Sequence, residues 1–66
     1  SAEDEQSEKK YYQDCLWKVY KSYLDNRMKE LTDLYADEVD LIKKKDLAGQ
    51  IQEIAQKLKN KKVEEL

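Results

Sequence analysis

The sequence predicts an all-α protein: a helical hairpin, built from a long helix, a short connection and a shorter helix, that associates into an oligomeric coiled-coil-like bundle. Three observations predict this. Apolar residues recur at steps of three and four along two stretches, the spacing of an amphipathic helix face. Good helix formers dominate a chain that has no proline and a single glycine, a balance typical of long helices and coiled coils. The two apolar stripes also fail to line up. Advancing about 100° per residue, the centre of the second falls roughly opposite the centre of the first on a straight helix. Re-winding to the coiled-coil period reduces the mismatch without removing it.

The elements follow in chain order. Residues 1–9 are charged and poor in apolar side chains and read as a disordered acidic tail; residues 10–66 read as the helical oligomerisation domain. The opening Ser1-Ala2 has the look of a cloning remnant, which points to a piece of a larger protein. No secretory signal is visible in the polar, acidic start SAEDEQSEKK.

The first helix is expected over residues 11 to 42. Its stripe runs through Tyr20, Leu24, Met28, Leu31, Tyr35, Val39 and Ile42, and Leu16, Tyr23 and Leu34 widen the same face. Acid-to-base pairs at i,i+4, such as Asp25 to Lys29 and Asp40 to Lys44, each favour helix by about 0.2–0.5 kcal/mol. The second helix is expected over residues 47 to 66, with Leu47, Ile51, Ile54 and Leu58 on its stripe.

Between them, a turn near residues 43 to 48 resolves the mismatch of the stripes. Lys43, Lys44 and Lys45 suit a helix C-terminus, where cations meet the negative end of the dipole. Asp46 suits the N-cap of the next helix. Gly49 weakens helix locally by about 1 kcal/mol relative to Ala. The competing reading is one continuous helix that carries Gly49, changes partner halfway and pairs in a parallel coiled coil.

Charge divides along the same line. Residues 1–42 carry eleven acids against six bases, and residues 43–66 four against seven. An antiparallel pairing lays the basic segment on the acidic one, whereas a parallel in-register dimer sets like against like. Surface pairs are weak and screened, so charge selects orientation more than it stabilises.

If the hairpin forms with that turn, residues 10 to 24, KYYQDCLWKVYKSYL, project past the shorter helix. Their apolar side chains cover about half the circumference, more than one neighbouring helix buries. Tyr and Trp lead among residues that anchor interfaces. Tyr11, Tyr12 and Trp17 are therefore candidates for a partner surface.

The chain offers little for chemistry. It has no histidine and one cysteine, Cys15, so neither an intramolecular disulfide, nor the usual zinc sets, nor a nucleophile–base pair is expected. Cys15 reads as a packed small hydrophobe. One glycine excludes phosphate-cradling loops. Catalytic residues, cofactor sites and metal sites are all expected to be absent. The basic clusters Lys43-Lys44-Lys45 and Lys57-x-Lys59-x-Lys61-Lys62 read as solvated helix surface, because the pI is about 5.1 and a polyanion binder normally shows a basic domain; nucleic acid is not an expected partner. No apolar run approaches the roughly 20 residues that span a bilayer, so no membrane partner is expected either. A lone thiol without an export signal favours an intracellular setting, cytoplasmic or nuclear.

The function these readings imply is self-association or scaffolding, with dimerisation the leading state, within a larger intracellular protein or complex. The expected oligomer interface comprises Leu16, Tyr20, Tyr23, Leu24, Met28, Leu31, Tyr35, Val39, Ile42, Leu47, Ile51, Ile54 and Leu58. A small chain without disulfide or metal usually relies on oligomerisation for stability. The partner is then another copy of the chain; the alternative is a hetero-binding module that docks a helix or groove of another protein through its aromatic N-terminal half.

Overall fold

The structure of the chain, a computed structural model, describes residues 1–61. Two helices make it: α1, Ala2–Asp37, and α2, Leu41–Asn60. They pack antiparallel as a hairpin, with α2 lying along the C-terminal part of α1, and the molecule measures 58 × 16 × 15 Å. The long dimension follows from α1 alone, since its 36 residues at about 1.5 Å each approach that length. No helix among the described residues is long and apolar enough to cross a membrane.

Each helix end has a local cause. Ser1 caps α1, its side-chain oxygen accepting from the Asp4 N–H at 3.3 Å. Glu3, Asp4 and Glu5 fill the first turn, where the helix dipole favours acids. Residues 2–9, expected to form a disordered tail, are thus the opening turns of α1, and all of them are exposed.

The reversal comes at Glu38, Val39 and Asp40, earlier than the expected 43–48. The Glu38 N–H donates to the Tyr35 carbonyl at 3.3 Å and closes α1. Glu38 and Asp40 are both extended, with ψ of 128° and 121°. Asp40, not Asp46, is the N-cap of α2. Its Oδ1 accepts from the Ile42 N–H at 2.8 Å and the Lys43 N–H at 3.2 Å, satisfying two donors that a helix start leaves without an intrahelical partner. Asp46 sits one turn inside α2, where its carboxylate accepts from the Gln50 side chain at 2.9 Å. The expected pair of Asp40 with Lys44 gives way to the cap, and in mid-α1 Asp25 binds Lys21 at 2.8 Å rather than Lys29.

Gly49 lies within α2 with no positive φ, so it makes no turn. Lys43, Lys44 and Lys45 open α2 rather than closing α1, and they stand at the positive end of its dipole. Lys61 ends α2 in the left-handed region, φ 50°, its N–H donating to the Lys57 carbonyl at 3.1 Å. Lys62 of the second basic cluster, and the rest of the 10–66 domain beyond it, lie outside the described residues.

The core is thin. Tyr20, Leu24, Leu31 and Ile54 are buried, and Trp17, Met28, Leu47, Ile51 and Leu58 pack partly buried against them. Fully burying such a side chain contributes about 1.5–3 kcal/mol. Four of them are few to hold helices of 36 and 20 residues against the entropy of ordering the chain.

Candidate functional site

The earlier turn changes what α1 leaves free. Because α2 starts at Leu41, it is long enough to bring Leu58 back to the cluster that holds Trp17 and Tyr20. Tyr20 and Leu24 are therefore core residues and do not project past α2. What extends beyond is the shorter stretch from residue 2 to about residue 16, with Tyr11 and Tyr12 73% and 63% exposed.

Trp17 differs from those two tyrosines. It is half-buried against the core, its ring 6.3 Å from that of Tyr20 and tilted by 59°. Tyr20 in turn faces Tyr23 at 6.4 Å, nearly parallel at 18°. These separations lie in the range of attractive aromatic pairs. The row passes from buried Tyr20 outward to exposed Tyr23, so it links the core to the surface.

Around α1 the apolar residues form two stripes. The first, Trp17, Tyr20, Leu24, Met28 and Leu31, faces α2. The second, Tyr12, Leu16, Val19, Tyr23 and Leu34, lies about 100° around the helix from it. α2 leaves this flank largely uncovered: Val19, Tyr23 and Leu34 are 62%, 59% and 54% exposed, and Leu16 is half-buried. Beside the flank runs a groove between the helices. Tyr20, Leu24, Leu31 and Ile54 form its floor, Val19, Tyr23 and Arg27 one wall, and Gln50, Glu53 and Lys57 the other. Arg27 is held at that wall by Glu30, 3.0 Å away.

The residues expected at the interface therefore separate into groups. Tyr20, Leu24, Leu31 and Ile54, with Met28, Leu47, Ile51 and Leu58, meet inside one hairpin. Leu16 and Tyr23 stand on the flank. Tyr35 is at the edge, covered by Lys44, whose ammonium lies 4.6 Å from the ring centroid, within cation–π range. Val39 and Ile42, 93% and 83% exposed, take no part in the intramolecular core, since the reversal removes them from the α1 stripe. Cys15, expected to be packed, is a free, exposed thiol; it projects from α1 on the side away from the core stripe.

Sequence reasoning passed over Val19 as an interface residue and Arg27, Gln50, Glu53 and Lys57 as groove walls. A signal for Val19 was present: Tyr12, Leu16, Val19 and Tyr23 follow at steps of four, three and four, a second helical repeat merged with the first. Nothing in the sequence marks the α2 wall, because it depends on where the chain turns.

Fold and surface together define a two-helix hairpin with an exposed apolar flank. No family model, curated protein or solved structure matches the chain.

Proposed function

We propose that the chain is a homo-oligomerisation and scaffolding module, in its simplest form a dimerisation module, of a larger intracellular protein or complex. It acts through buried helix–helix packing and performs no catalysis. One observation carries this reading: the Val19–Tyr23 flank stands uncovered beside a groove whose floor is the core itself. A helix laid along that flank covers Val19 and Tyr23, which α2 leaves exposed, and so thickens a core that one hairpin leaves thin. In a chain of 66 residues with one cysteine, neither a disulfide within the chain nor a structural zinc of the usual His/Cys kind is available for the same purpose.

Sedimentation velocity from low to high micromolar concentration tests it. The module is expected to sediment as a defined assembly of two or more chains. A single folded chain at every concentration overturns the reading.

A second reading has its own support. Tyr11 and Tyr12 are exposed beyond the reach of α2, where a helix or groove of another protein can dock. On that reading the isolated chain sediments as a monomer and gains order only when the other protein is added.

A further inference from the structure

We draw no further inference here: the strongest candidate, the exposed apolar patch that Val39, Leu41 and Ile42 form at the hairpin tip, has the acids Asp37, Glu38 and Asp40 and the bases Lys43 and Lys45 beside it alike, so its charges select no partner and nothing in the structure shows what covers it.

Discussion

The two stripes of α1 resemble each other in composition and differ in fate. Trp17, Tyr20, Leu24, Met28 and Leu31 meet α2 and are buried or half-buried. Tyr12, Val19, Tyr23 and Leu34, about a quarter turn away, are more than half exposed. One neighbouring helix covers one side of a helix, and among the described residues α2 is the neighbour α1 has. The difference shows that the apolar arc of α1 is wider than the one helix packed on it covers. It also separates two kinds of side chain: those that make the hairpin, and those that the hairpin leaves exposed.

Substitutions on the two stripes are expected to behave differently. The largest effect belongs to Leu31→Asp, at a side chain only 1% exposed. Losing its packing alone costs about 2–5 kcal/mol, and the buried carboxylate adds to that. Circular dichroism is expected to show helicity lost at every concentration; retained helicity removes Leu31 from the core. Next comes the flank pair Val19→Asp with Tyr23→Asp. These are expected to move the concentration at which helicity is half lost upward at least about ten-fold, roughly 1.4 kcal/mol, without the collapse seen for Leu31→Asp. Equal damage from both sets of changes erases the distinction between the stripes.

Smaller effects sharpen the account of how α2 is placed. Asp40→Ala removes the acceptor for the Ile42 and Lys43 N–H groups and is expected to cost about 1 kcal/mol in urea unfolding. The same change at Asp46 is expected to be milder, since Asp46 caps nothing. Gly49→Ala is expected to stabilise by somewhat under 1 kcal/mol. Residue 49 is helical, and a Cβ there meets nothing within 4 Å. A destabilising result at that position moves the turn back toward residue 49.

Much of the fold was legible in the sequence. The misaligned stripes require a bend, and the structure has one. The stripe of Leu47, Ile51, Ile54 and Leu58 is the face that α2 presents to α1. The position of the bend was harder to read because its signals compete. Gly49 and the lysine run are conspicuous but work in the helix, whereas Asp40 is inconspicuous among neighbouring acids and makes the two capping bonds. Extending the first stripe through Val39 and Ile42 followed from the same misplacement, since both continue the spacing that the reversal interrupts. The flank was visible only as width: Tyr23 and Leu34 broadened the first stripe. Recognising a separate repeat required knowing which side α2 covers. Cys15 was judged by residue type, whereas its exposure comes from its place on the bare part of α1.

The central claim is that one hairpin leaves its core incomplete and a second copy completes it. Thermal unfolding of the wild-type chain at several concentrations tests this most directly, because stability that depends on association rises with concentration. The account predicts a midpoint that climbs with chain concentration, and a much weaker climb in the Val19→Asp, Tyr23→Asp variant. A cooperative midpoint that stays fixed across that range, from a species with the mass of one chain, contradicts it.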